Sequence, residues 1–176
     1  MSTVWPEGVP ARMPAQDRAD IEEVYSRYAW GIDLADLDMA LSAFADDAWF
    51  DHLWQGRVQG HEAIAENLKS LWYDRQHWWF GRQHLFNHFI MTPTETGADV
   101  RCFFQIVQYS VDYNTSFLFG IGTRQDELVK LGEDWKFQSL KVNAWRSRDD
   151  VPWQGEMKLA ARPVTPQGAG QLDPKK

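Results

Sequence analysis

The stretch SFLFGIGTRQDELVKLGEDWKFQSLKVNAWRS, residues 116–147, decides the fold. It reads as two long strands, 116–131 and 134–147, carrying aromatic and β-branched residues and separated by the turn signal GED at 132–134. So short a connection joins antiparallel neighbours, because a parallel pair needs a crossover of a dozen or more residues. Upstream, RQHLFNHFIM (82–91) and ADVRCFFQIVQYSVDY (98–113) repeat the pattern, punctuated by TPTETG at 92–97 and NTS at 114–116. The second half of the chain is therefore a run of strands with no helix between them.

The first half has a different period. From Asp17 onward, Ile21, Val24, Tyr25, Tyr28 and Ile32 fall on one stripe of a helix. Asp33 sits at the edge of that stripe, level with Ala29, and Gly31 is expected to loosen the last turn. A second short helix places Leu37, Ala40, Leu41 and Phe44 on one face. DDAWFDH (46–52) reads as a strand, WQGRVQG (54–60) as glycine turns, and a third helix follows Gly60 with Ile64, Leu68, Leu71 and Trp72 at helical spacing. Helices first and strands afterwards predict an α+β fold rather than a βαβ one. Residues 1–15, with three prolines, read as an irregular N-terminal arm, 16–150 as one domain, and 151–176 as a Pro/Gly-rich C-terminal tail.

With 176 residues the chain has the size of a single domain and buries about two-thirds of its unfolded surface without staples. Ten Trp, ten Phe and five Tyr are the compositional anomaly, since aromatic side chains dominate cores and also wall pockets for flat ligands. A net charge of −7 without a basic run repels nucleic acid. Cys102 is the single cysteine, so an intrachain disulfide and a cysteine-based zinc site are excluded. The N-terminal MSTVWPEGVPARMPAQ does not read as a signal peptide, and no apolar run approaches a membrane span. The expected location is cytoplasmic, with neither membrane nor nucleic acid as partner.

Strand alternation puts His84, Phe86, His88 and Ile90 on one face of RQHLFNHFI. Histidines on an otherwise apolar face need polar partners if that face is buried. Asp33 is a candidate partner of His84, although spacing alone does not bring the two together: a carboxylate on one ring nitrogen would fix the tautomer and make the other nitrogen a general base. Tyr28, five residues before Asp33, reads either as a half-buried tyrosine of the apolar stripe or as a hydrogen-bond donor to an oxygen in the pocket. His88, Tyr109 and Asn143 are the further polar candidates for substrate binding, Arg82 or Arg146 a cation at its edge, and Trp30, Phe50, Trp54, Trp79 and Trp145 its walls. Asp33, His84 and His88 also have the composition of a two-histidine, one-carboxylate iron site, yet the expectation is no metal and no cofactor. HEAIAEN (61–67) has Ala65 where a metalloprotease needs its second histidine, and no GxGxxG, P-loop or GxSxG motif occurs.

ADIEEVYSRYAWGID (19–33), LSAFADDAWFD (41–51), GHEAIAENL (60–68), RQH (82–84) and DWKFQSLKVNAW (134–145), in this order, resemble the SnoaL-like branch of the NTF2-like superfamily. Over about residues 16–148 the chain is similar to the cofactor-free lyases of the scytalone dehydratase and hexachlorocyclohexane dehydrochlorinase type. The resemblance implies a cone-shaped α+β barrel, a strongly bent antiparallel sheet wrapped around three N-terminal helices with a deep pocket at its open end. It also implies that the aspartate ending the first helix pairs with a histidine on the strand after the third helix, positions held here by Asp33 and His84. Two departures stand out: FFQIVQYS (103–110) offers Tyr109 or Ser110 where scytalone dehydratase has a second histidine, and Asn143 stands where the dehydrochlorinase has arginine. The implied activity is a lyase that eliminates water, or formaldehyde from a lignin-derived diarylpropane-type phenol, from a hydrophobic aromatic substrate. The implied assembly is a homo-oligomer, a trimer rather than a dimer. A polyketide-type cyclase or isomerase, or a non-catalytic structural subunit of a ring-hydroxylating dioxygenase, is the alternative on the same fold.

Overall fold

The computed structural model describes residues 12–52, 55–74 and 79–153. Helix α1 (Ala15–Leu34) buries the expected stripe, Ile21, Val24, Tyr25, Tyr28 and Ile32. It stops at Ala35, which adopts the left-handed conformation with φ 56°, while the Asp36 N–H returns to the Gly31 carbonyl at 2.9 Å. Gly31 does not loosen this turn. A Cβ there would stand 2.4 Å from the backbone nitrogen of Ala40, so the glycine lets helix α2 (Leu37–Ser42) cross against α1. The side chain of Asp36 caps α2 by accepting from the Met39 N–H at 3.0 Å. Phe44, expected on that helix, instead opens strand β1 (Phe44–His52).

The glycine-turn reading of 54–60 missed strand β2 (Gly56–Gln59), which pairs antiparallel with β1 and leads into α3 (Gly60–Tyr73). Four long strands follow: β3 (Arg82–Pro93), β4 (Gly97–Ser110), β5 (Thr115–Leu131) and β6 (Asp134–Ala144). They form one six-stranded sheet in the order β2-β1-β6-β5-β4-β3. One pairing corrects the antiparallel expectation: β1 lies parallel to β6. The chain between them contains β2, α3 and three further strands, more than enough to return in the same direction. The outermost strands β2 and β3 are not paired to each other, so the sheet is bent but unclosed.

Register shifts fall between Asn87 and Ile90, Ile106 and Val107, and Glu127 and Leu128, and such bulges bend a sheet. Helix α1 packs on β3 and β6, and α3 on β1. Between them lies an aromatic and aliphatic core of Tyr25, Phe44, Phe50, Phe137 and Leu140, all nearly inaccessible to solvent. Tyr25 meets Phe137 edge-on at 4.9 Å between ring centroids, an arrangement aromatic quadrupoles favour. Among the described residues no helix is long and apolar enough to cross a membrane.

Candidate active site

The site begins at the C-terminal end of α1, where the last carbonyls have no partner within the helix. The Ile32 carbonyl accepts two indole N–H donors, from Trp72 at 2.8 Å and Trp79 at 2.7 Å. Trp72 comes from α3, and Trp79 lies just before β3. The residue after this clamped carbonyl is Asp33. One of its carboxylate oxygens accepts the backbone N–H of His84 at 2.7 Å, and the other lies 2.5 Å from His84 Nδ1. Each side chain is 11% exposed, so a charge-assisted contact here is little weakened by water. In the neutral imidazole, a carboxylate at Nδ1 assigns that nitrogen the proton and leaves Nε2 bare. The imidazole is further held by Trp79, with centroids 5.9 Å apart, and by Phe86, stacked at 6.4 Å.

His84 and Tyr28 line the same cavity, of about 230 Å³, between the helices and the inner face of the sheet. Its walls include Phe50 from β1, Leu68 and Leu71 from α3, Phe104 from β4 and Phe119 from β5. The Tyr28 hydroxyl is pushed up to a pKa of about 12, chiefly by burial, with Asp126 and Asp33 adding to the effect and Arg124 opposing it. It is a neutral phenol at ordinary pH and therefore a hydrogen-bond donor. A bare imidazole nitrogen and a protonated phenol in one apolar cavity make an acid–base pair.

Residues 13–141 match the SnoaL-like domain. The chain belongs to the SnoaL-like domain family. Solved structures agree on the fold. A protein of unknown function with a cystatin-like fold from Nostoc punctiforme superposes with a TM-score of 0.68 at 18% identity, covering 78% of this chain and 97% of its own. A candidate scytalone dehydratase from Novosphingobium aromaticivorans gives 0.62 at 18% identity, covering 89% and 96%. A candidate aromatic ring hydroxylase from the same organism gives 0.63 at 21%, covering 79% and 99%. At these identities the likeness is one of fold. No curated protein matches the sequence.

Of the other expected residues, five line the same cavity as His84 and Tyr28: Phe50, Trp79, Arg82, Trp145 and Arg146. Arg82 is buried, donates from Nε to Gln108 at 3.1 Å, and lies over the rings of Phe119 and Trp79 at 4.0 and 4.6 Å. Arg146 stands at the exposed end of the cavity. Trp54 lies outside the described residues. Trp30 is not a wall: it is 64% exposed, because two residues past Tyr28 the helix has turned to its opposite side.

His88 is misplaced for a different reason. It has φ 56° at the bulge after Asn87, so the alternation slips by one residue and Phe89 packs on Tyr25 in its stead, 5.0 Å between centroids. His88 is exposed and meets Phe103 on the outer face, which leaves the two-histidine, one-carboxylate set unassembled. Among the described residues no group of three His, Cys, Asp or Glu is disposed to hold a metal ion. Tyr109 is also exposed and donates its hydroxyl to Asn114 at 2.8 Å, away from the cavity. Asn143 faces outward because Val142 and Ala144 on either side of it line the cavity; it borders an outer groove of about 720 Å³ together with His88.

Sequence reasoning passed over three residues. His52 lines the cavity from β1, on the inward face shared with Ala48 and Phe50. Arg124, 3% exposed, reaches the cavity from β5 and pairs with Asp126, 1% exposed, at 3.0 Å. Asp126 also accepts the Tyr25 hydroxyl at 2.6 Å and the Lys141 N–H at 2.8 Å. The signal was available: in GTRQDEL, period-two alternation places Arg124 and Asp126 on the face of Leu128, two opposite charges pointing into a core.

Proposed function

We propose that this SnoaL-like protein is a cofactor-independent lyase acting on a small aromatic substrate. The observation that carries the reading is the grip of Asp33 on both nitrogens of His84 that face it, backbone and ring, which leaves Nε2 to the cavity. In a dehydration, Nε2 takes a proton from the carbon beside the one bearing the hydroxyl. The C–H electron pair becomes the new double bond, the C–O bond breaks, and Tyr28 gives its proton to the departing oxygen, which leaves as water. In a diarylpropane carrying a hydroxymethyl group, Nε2 instead takes the hydroxymethyl proton. The C–C bond then breaks to release formaldehyde, and its electron pair forms the double bond and expels the neighbouring benzylic hydroxyl, protonated by Tyr28. In both cases the proton on His84 returns to Tyr28 through solvent after release. General-base catalysis supplies about 10²–10⁴-fold, and oriented donors in a dry cavity supply the rest.

The cavity volume of about 230 Å³ suits one aryl ring with its side chain, being below the roughly 300–1,000 Å³ of sites for larger ligands. A second ring sits at the open end, beside Trp145 and Arg146. The reading carries with it a cytoplasmic homotrimer without a resident cofactor; light scattering on the purified protein tests the assembly. The reaction is tested with a panel of phenolic benzylic alcohols and diarylpropanes followed by ultraviolet absorbance. Elimination beside a ring extends conjugation, so a new long-wavelength band is expected with the native protein and none with a folded His84→Ala variant. A panel that yields no band with native protein, or an unimpaired His84→Ala variant, refutes the lyase.

A further inference from the structure

Besides Arg82 and Arg146, the cavity has a third cation, on β5. Arg124 is buried, forms part of the cavity wall, and is clamped through Nε and Nη2 by Asp126, at 3.3 and 3.0 Å. Asp126 is fixed in turn by the Tyr25 hydroxyl and the Lys141 N–H. The guanidinium carbon stands 5.4 Å from the centroid of the Tyr28 ring and 5.2 Å from that of Phe86. A buried salt bridge of this kind adds little net stability, because desolvation of both ions offsets their attraction. A cation placed this way, under an apolar cavity and against a phenol, has a chemical use.

We propose that Arg124, clamped by Asp126, is a positioning residue that makes the Tyr28 hydroxyl a usable proton donor to an oxygen in the cavity. The proposal deepens the lyase reading and rests on it for the identity of that oxygen. A phenol in an apolar cavity is a poor acid, since its anion would be stranded without solvation. A guanidinium beside it stabilises the phenolate left behind, in the way preorganised charges assist any developing anion. Arg124 attracts the phenolate, Asp126 and Asp33 repel it, and His84 lines the same cavity. Asp126 cancels part of the charge and, in return, keeps the guanidinium in one orientation. The substrate class that needs such support is an alcohol or ether, whose oxygen leaves badly unless protonated. Esters and other acidic leaving groups do not need it.

The test uses Arg124→Met/Asp126→Asn, which removes both charges together; the asparagine oxygen accepts the Lys141 N–H and its NH₂ group donates to the Tyr25 hydroxyl in place of the native bond, and circular dichroism and melting confirm its fold. Difluorotyrosine installed at position 28 is titrated by ¹⁹F NMR in both backgrounds. An opposite charge at this range lowers an acid's pKa by about 1–3 units, and losing Asp126 along with Arg124 offsets part of that, so the fluorotyrosine is expected to rise by about half a unit or more. Titrations that coincide within about 0.3 units overturn the proposal, whatever the reaction turns out to be. In turnover, a benzylic alcohol is expected to lose at least about tenfold in the paired variant while its acetate ester loses less than about threefold. Equal losses on both substrates mean a merely structural pair and also overturn it. Native protein inert towards the whole panel refutes the lyase reading instead, and the fluorotyrosine titration then decides the coupling alone.

Discussion

Replacing Asp33 with asparagine separates the chemistry of the pair from its architecture. The carboxylate accepts twice from His84, from the backbone N–H at 2.7 Å and at Nδ1 at 2.5 Å. An amide has one oxygen for these two donors and presents N–H hydrogens on its other side. The backbone N–H cannot turn away, because β3 fixes it in the sheet. Leaving that donor facing an NH₂ group costs about 1–3 kcal/mol, so the asparagine oxygen stays with the backbone. The NH₂ group then faces Nδ1, which becomes an acceptor, and the imidazole proton moves to Nε2. The nitrogen that must accept a proton in the cavity now carries one.

Stability falls only by the loss of charge assistance, about 1–2 kcal/mol. For a chain of 176 residues that lowers the melting temperature by roughly 2–8 °C. On the proposed lyase reading, turnover is expected to fall by about 10²–10⁴, in kcat rather than KM, because the cavity keeps its shape. Steady-state kinetics and ¹⁵N chemical shifts of His84 measure the two effects separately. A variant whose spectrum still shows Nδ1–H, or whose kcat stays within threefold of native, refutes the argument from the tautomer.

Four further outcomes are expected. Gly31→Ala should lower stability by about 1–2 kcal/mol: alanine favours a helix by about 1 kcal/mol, but a Cβ 2.4 Å from the Ala40 nitrogen overpacks by more. A higher melting temperature would show that α2 yields freely. Cys102 is buried and its thiol is pushed up to about 12 by burial, so Ellman's reagent at about pH 8 should label it only after denaturation; rapid labelling of the native protein would contradict this. His88→Ala should leave kcat within about twofold, since its ring lies on the outer face, and a loss beyond tenfold would bring it back to the chemistry. Asp17, bonded to Lys130 and Trp135, is held below the usual carboxylate pKa, so its contribution is present above about pH 4 and is lost as pH falls through the lowered value. Native protein and Asp17→Asn should melt apart at pH 7 and converge near pH 2; a constant difference would remove the linkage.

The helices and the long strands were legible because their periods, 3.6 and 2, persist over many residues between clear turn signals. β2 was lost because its four residues are bracketed by Gly56 and Gly60, and turn chemistry outweighs so short an alternation. His88 shows the limit of period two: one bulged residue reverses every side chain beyond it, and nothing in RQHLFNHFI announces the insertion. Asn143 was a matter of parity, settled by Val142 and Ala144 lining the cavity. The meeting of Asp33 and His84, 51 residues apart, came from likeness to a family and not from spacing. Arg124 and Asp126 were readable as charges on a core-facing strand, but Arg82 and Arg146 stood out first as candidate cations. The parallel β1–β6 pair is a tertiary fact with no local signature.

The Ile32 carbonyl, saturated by two indoles, ties the geometry of the Asp33–His84 pair to the order in which the chain folds. Its donors lie 40 and 47 residues downstream, so the turn bearing Asp33 is fixed only by closing long loops. α1 itself is held by local hydrogen bonds and forms early, whereas contacts between distant segments form slowly. Helical ellipticity in a refolding experiment is therefore expected to recover before activity, with the fluorescence of Trp72 and Trp79 following activity. If ellipticity and turnover return together, the end of α1 is set before α3 and β3 dock. Substitutions that slow docking of α3 would then tax the yield of competent protein while leaving the finished catalyst unchanged.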